Sequence, residues 1–210
     1  GVKLVVAKGE VTARELLPVS LMPEGLFDVL KPEQVVNLVA YLQSPDGKTK
    51  PVAEPASGIW RVPGVLEGES LKVLSKTGGR VSNQAMTKFT ASRWSGNDHL
   101  WWADAKTGDA LTLALPIAEQ GTYQLTFVCT KAHDYGTVTL AWNGAKAMPP
   151  IDLYDKDAVT ITPEVSLGAF DVEPGKASLV VEIVGENPAA TKAWMFGLDY
   201  VRFVPAKPSP

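Results

Sequence analysis

Cysteine, histidine and any surplus of basic charge are scarce in this 210-residue chain. A single cysteine, Cys129, excludes an internal disulfide, a cysteine-ligated zinc site and a Cys-x-x-Cys-His haem attachment. It alternates with apolar residues along Gln124–Thr130 and reads as a buried thiol in a strand. Two histidines cannot build a histidine-rich metal site. The net charge of −3, with lysine and arginine scattered, provides no basic face for nucleic acid or anionic lipid. No apolar run approaches the roughly 20 residues that a membrane-spanning helix needs. Gly1 is preceded by no methionine, basic n-region or h-region, so the chain reads as a mature or recombinant fragment. At 45% apolar and 20% charged residues, the composition is that of a folded protein, not a disordered one.

The chain divides into two unequal parts. Residues 1–43 read as a hairpin over Gly1–Leu17, a turn of helix near Pro23–Leu30 and a helix opened by Pro32, whose missing N–H suits the first helical position. Val35, Leu38, Val39 and Leu42 give that helix one apolar stripe. A helix this short is marginal alone, so it is expected to dock on the remainder or on a second copy. Residues 44–58, with three prolines and two glycines, are a linker. From Ile59 the period becomes two. Leu111, Leu113 and Leu115 alternate with small or polar residues, as do Tyr123 to Cys129, Val138 to Trp142 and Leu179 to Ile183. Turn chemistry separates these runs: Lys106-Thr-Gly-Asp, Glu119-Gln-Gly, Trp142-Asn-Gly and Glu173-Pro-Gly. Strands apolar on one face must pack against a second sheet, which predicts a mainly β sandwich over residues 59–205 and a frayed tail at 206–210.

Leu17-Pro-Val-Ser-Leu-Met-Pro-Glu-Gly-Leu, with Leu30 to Leu42, resembles the end of a bacterial haem-binding, cytochrome c-like domain. The resemblance implies that Met22 would be an axial haem ligand in a full-length parent carrying haem c; without the Cys-x-x-Cys-His half, no cofactor is expected in this fragment. Val65-Leu-Glu-Gly-Glu, Thr130-Lys-Ala-His-Asp-Tyr-Gly, Pro150-Ile-Asp-Leu-Tyr-Asp and Phe196-Gly-Leu-Asp-Tyr-Val-Arg-Phe resemble, in that order, the galactose-binding-like jelly rolls of secreted bacterial proteins. That resemblance implies a jelly-roll β-sandwich, a secreted or periplasmic location, a poly- or oligosaccharide partner and a missing upstream domain of the same polypeptide.

Six tryptophans fit such a partner, because sugar rings stack their C–H faces on flat aromatic surfaces while neighbouring polar groups bind the hydroxyls. On one strand Trp101 and Trp102 point to opposite faces; Leu100 shares the parity of Trp102, so Trp102 is the core candidate and Trp101 the ligand candidate. Trp94, beside Ser-Gly-Asn, is read at the rim, and Trp194, in a loop before the last strand, is read as either ligand contact or packing. Trp142 belongs to the core by parity. His133, Asp134 and Tyr135, in a long connection between strands, either bind a ligand or cap a turn and close the core. The carbohydrate-binding candidates are thus Trp94, Trp101, His133, Asp134, Tyr135 and Trp194, and the reading requires two or more of Trp94, Trp101 and Trp194 to line one exposed cleft. Asp152, Asp155 and Asp157 are candidate oxygen ligands for a structural Ca²⁺. No nucleophile elbow or other catalytic signature occurs, and a glycosidase carboxylate pair cannot be recognised from spacing. The expected function is non-catalytic carbohydrate binding. The alternatives are a structural or docking module of an extracellular electron-transfer protein and a glycan hydrolase.

Overall fold

The computed structural model describes residues 59–206 apart from Lys146. The hairpin, helices, linker and tail expected at 1–58 and 207–210, Met22 and the docking of residues 1–43 among them, lie outside the described residues. Twelve strands form in chain order: β1 Val65–Glu67, β2 Val73–Lys76, β3 Arg80–Ala85, β4 Asp98–Ala103, β5 Ala110–Ala114, β6 Gly121–Lys131, β7 Gly136–Trp142, β8 Ile151–Asp152, β9 Thr160–Ile161, β10 Val165–Val172, β11 Ser178–Glu186 and β12 Phe196–Pro205.

They pair into two antiparallel sheets. The first has the order β10-β6-β12-β4-β3, with β1 taking over from β4 along the later part of β12 and β9 extending the pairing of β6. The second has the order β2-β5-β11-β7-β8. This is the mainly β sandwich that the period-two pattern predicts, of the jelly-roll type that the resemblance implies. The alternating runs supply its interior. Leu111, Leu113, Leu125, Phe127, Cys129, Val138, Leu140, Leu179, Val181 and Ile183 are all buried, as are Trp102 and Trp142. Each fully buried side chain of this size contributes about 1.5–3 kcal/mol, so the choice of inward face is strongly enforced.

Turns form where the sequence places them. Asn143 and Gly144, with φ of 45° and 69°, reverse the chain after β7, a left-handed pair that Asn-Gly accommodates at low cost. Lys106–Asp109 and Glu173–Lys176 close with backbone hydrogen bonds of 2.9 and 3.2 Å.

Two features of the first sheet shape its outward face. Strand β12 is its hub: Leu198 faces Leu100 on one side and Cys129 on the other, and the register then slips so that Asp199 is a bulge residue. The segment from Met86 to Asn97 folds back over the outward face of this sheet. It is tied there by Met86 N–H to Asn97 O (2.8 Å), Gly96 N–H to Trp60 O (2.9 Å) and Ile161 N–H to Ser92 Oγ (3.3 Å).

Candidate functional site

Pairing of β4 with β12 and β3 puts His99 and Trp101 on the outward face with Gly197, Gln84 and Ser82 as neighbours in register. The folded-back segment covers His99 and stops short of Trp101, which stays half-exposed. A cleft of about 190 Å³ opens there. Trp101, Phe89, Val159 and Met195 supply its apolar wall, and Gln84, His133 and Asp134 its polar groups, with Ala132 and Tyr135 beneath.

Backbone hydrogen bonds hold the walls. Thr191 N–H donates to His133 O (2.8 Å), Met195 N–H to Asp134 O (3.2 Å) and Gly136 N–H to Met195 O (2.9 Å), joining the loops before β7 and β12. Ala132 N–H to Leu153 O (3.0 Å) and Asp155 N–H to Ala132 O (3.2 Å) anchor the other side. A cleft built this way needs little ordering when a ligand arrives.

Of the six predicted residues, Trp101, His133, Asp134 and Tyr135 line this cleft and two do not. Trp94 is a correction. It is 2% exposed, donates through Nε1 to Thr130 Oγ1 at 2.9 Å and packs against Phe89 with centroids 6.2 Å apart. Its loop closes over the sheet instead of standing at the rim, so no indole face is open to a sugar. Tyr135, at 4% exposure, closes the core, and burial raises its phenol's pKa, with Asp134 and Cys129 adding to the effect. It forms floor more than contact surface. Trp194 is half-buried against the core at a φ of 46°, a left-handed conformation costly for a bulky side chain, and lies beside the cleft residue Met195 without lining the cleft. Of the three indoles considered as ligand contacts, Trp101 alone lines the cleft. His133 is 61% exposed and Asp134 22%, with Nε2 and Oδ2 4.0 Å apart. An exposed pair at that distance contributes little to stability and is free to re-pair with a ligand.

Gln84, Phe89, Val159 and Met195 were not anticipated. Gln84 carries only a weak sequence signal, since its parity is that of Ser82 on a polar strand; that β3 lies beside Trp101 is a matter of pairing alone.

Chemically the cleft offers one carboxylate, Asp134, among its lining residues. Cys129 is no nucleophile: it is wholly buried, and desolvation, with Asp199 nearby, drives its thiol pKa up. The aspartates considered for calcium are engaged in turns. Asp152 accepts from Tyr154 N–H and Asn187 Nδ2, while Asp155 accepts from Asp157 N–H and Thr160 Oγ1, the latter chief in holding its carboxyl below the usual range.

A second polar centre lies under the folded-back segment, around Ser95. Its Oγ donates to Glu67 Oε1 (2.8 Å), and its N–H donates to Asp199 Oδ1 (3.0 Å). Glu67 Oε1 also accepts from Arg61 at 3.0 Å. Glu69 lies against Gly96, where an added Cβ would sit 3.0 Å from its Oε1. Three buried oxygens here, Glu67 Oε2, Glu69 Oε2 and Asp199 Oδ2, have no hydrogen-bond partner. Burial, with the neighbouring carboxylates, pushes Asp199 up to about 8 and also raises Glu69. Among the described residues no group of three such side chains is placed to hold a metal ion; burial instead favours the protonated forms of Asp199 and Glu69 at this centre.

No protein-family model matches the chain, and no curated protein does. Solved structures do. A xanthan lyase from Paenibacillus aligns at 18% identity and a TM-score of 0.56 over 70% of this chain, which spans 13% of the lyase. That likeness is one of fold. A GH26-CBM35 β-(1,4)-mannanase from Podospora anserina gives 16% identity and a TM-score of 0.42 over 70% of this chain and 28% of the mannanase. The carbohydrate-binding module CBM6cm-2 of Cellvibrio mixtus lichenase 5A, in complex with cellotriose, gives 13% identity and a TM-score of 0.38 over 68% of this chain and 97% of the module. Nothing among the matches shows a cytochrome c-like domain.

Proposed function

We propose that the sandwich is a non-catalytic carbohydrate-binding module of a larger secreted protein, holding a poly- or oligosaccharide over Trp101. One observation carries the reading: a half-exposed indole shares a braced cleft with an amide, an imidazole and a carboxylate. An indole face takes the C–H face of a sugar ring, and Gln84, His133 and Asp134 supply the donors and acceptors that hydroxyls need. The single carboxylate lining the cleft, Asp134, supports retention of a glycan over hydrolysis by a carboxylate pair. Affinity gels and calorimetry with soluble gluco-, manno-, xylo- and galacto-configured oligosaccharides test this. Retention of at least one, without release of reducing ends, is expected; absence of retention on all of them refutes it.

In a full-length parent, Met22 would serve an upstream haem c; a change in reduction potential in its Met22→Ala variant is the corresponding test.

A further inference from the structure

A line of four side chains runs from the folded-back segment to the cleft. Trp94 Nε1 is 2.9 Å from Thr130 Oγ1, Thr130 Oγ1 is 2.6 Å from His99 Nδ1, and His99 Nε2 is 2.9 Å from Gln84 Oε1. Thr130 and His99 are fully buried, while Gln84 is half-buried and lines the cleft.

The direction of every bond in this line comes from counting hydrogens. An indole N–H only donates, so one lone pair of Thr130 is taken. Were the ring proton on Nδ1, Thr130 would accept twice, and its own buried hydroxyl hydrogen would have no acceptor among the described residues, at a cost of about 1–3 kcal/mol. Thr130 therefore donates to Nδ1, the ring proton sits on Nε2, and Nε2–H donates to the Gln84 oxygen. Burial lowers the His99 pKa to about 4, so the ring is neutral at neutral pH. With its oxygen turned to His99, the Gln84 carboxamide has in its NH₂ two donors without a partner among the described residues, available to the cleft that Gln84 lines. The seat of His99 is itself shaped for this arrangement: a Cβ on Gly197 would meet the ring's Cε1 and Nδ1 at 2.7 Å.

We propose that Gln84 is a specificity-determining residue of the cleft, a hydrogen-bond donor fixed in that polarity by Trp94, Thr130 and His99. The cleft then takes a neutral saccharide that offers an acceptor oxygen to Gln84 and a hydroxyl hydrogen to Asp134, which can only accept. This role rests on the reading of the cleft as a carbohydrate site. His99 and Thr130 act as positioning residues.

Two measurements test it. Long-range ¹H–¹⁵N spectra of the labelled protein are expected to show His99 protonated at Nε2; protonation at Nδ1 overturns the proposal. Affinity is then measured by calorimetry on whichever neutral oligosaccharide of the panel the wild type retains. Gln84→Glu keeps the shape and replaces the donor by an acceptor, and Gln84→Met keeps the length without a polar head. Each is expected to weaken binding roughly ten-fold or more. Thr130→Ser should keep wild-type affinity, and Thr130→Val should lose it several-fold. A Gln84→Glu or Gln84→Met protein that binds as the wild type does overturns this role and leaves the carbohydrate reading standing. A wild type that retains no saccharide overturns both.

Discussion

Replacing Asp199 by asparagine removes the charge this fold tolerates least. The residue has no exposed surface; one carboxylate oxygen accepts from the Ser95 amide, and the other has no partner. Burial is the main reason its pKa reaches about 8, Glu67 and Glu69 add to it, and the Ser95 hydrogen bond opposes it. In the unfolded chain the group titrates near 3.8. Between those two values the unfolded chain has released the proton and the folded chain still holds it. The folded state therefore loses stability as pH rises, by up to about 1.4 kcal/mol per unit, and the loss is complete above pH 8 or so. Water and side-chain relaxation reduce the total to about 2–4 kcal/mol. Asparagine keeps an oxygen for Ser95 and places an uncharged NH₂ where the orphaned oxygen stood, in the neighbourhood of Glu67 and Glu69.

At about pH 9, Asp199→Asn should thus be more stable than the wild type by about 2–4 kcal/mol, and near pH 4 the two should agree within about 1 kcal/mol. Glu69, also raised chiefly by burial, stays in the variant, so its pH profile flattens without becoming level. Urea denaturation followed by tryptophan fluorescence, with m unchanged, is the assay. A variant less stable than the wild type at about pH 9, or parallel profiles across the range, would refute the reasoning.

Trp101→Ala should weaken oligosaccharide binding by about 1.4 kcal/mol or more, a ten-fold rise in Kd by calorimetry, while costing about 1–3 kcal/mol of stability, because the ring is partly buried with Arg80 over it, and leaving the protein folded. Gly197→Ala drives a methyl to 2.7 Å from two atoms of the His99 ring and 3.0 Å from Thr130 Cβ, and should cost about 1–3 kcal/mol in urea denaturation; an unchanged midpoint would mean that the ring is not seated there. Cys129 should resist a thiol reagent at pH 8 on the timescale of minutes and react at once in denaturant, and immediate labelling of the native protein would contradict its burial.

The sandwich is largely legible in the chain because its strands declare themselves locally. Leu111, Leu113, Leu140 and Val181 each stand two residues from another inward apolar residue, and the parity of Leu100 separates Trp102 from Trp101. The cleft is legible only in part. Trp101 and the His133–Tyr135 loop stand out because a lone outward aromatic and a long polar connection are unusual in their own neighbourhoods. Trp94 misleads because Ser-Gly-Asn does mark a turn, but a turn says nothing of which way the loop then folds. Gln84 and Asp199 carry little or no local signal.

What the amino-acid order determined by itself is the alternation, the position of the turns and the side of each strand that must leave water, since these depend on one residue and its neighbours two away. Only the tertiary structure decided that β3, β4, β6 and β12 lie side by side, and with that which outward residues meet. His99 can set the polarity of Gln84 because a strand about a hundred residues away contributes a glycine beneath its ring. Asp199 holds its proton because β1 and the folded-back segment close over a bulge in the last strand. Pairing between distant strands depends on the packing of the whole core, which no short window of sequence contains.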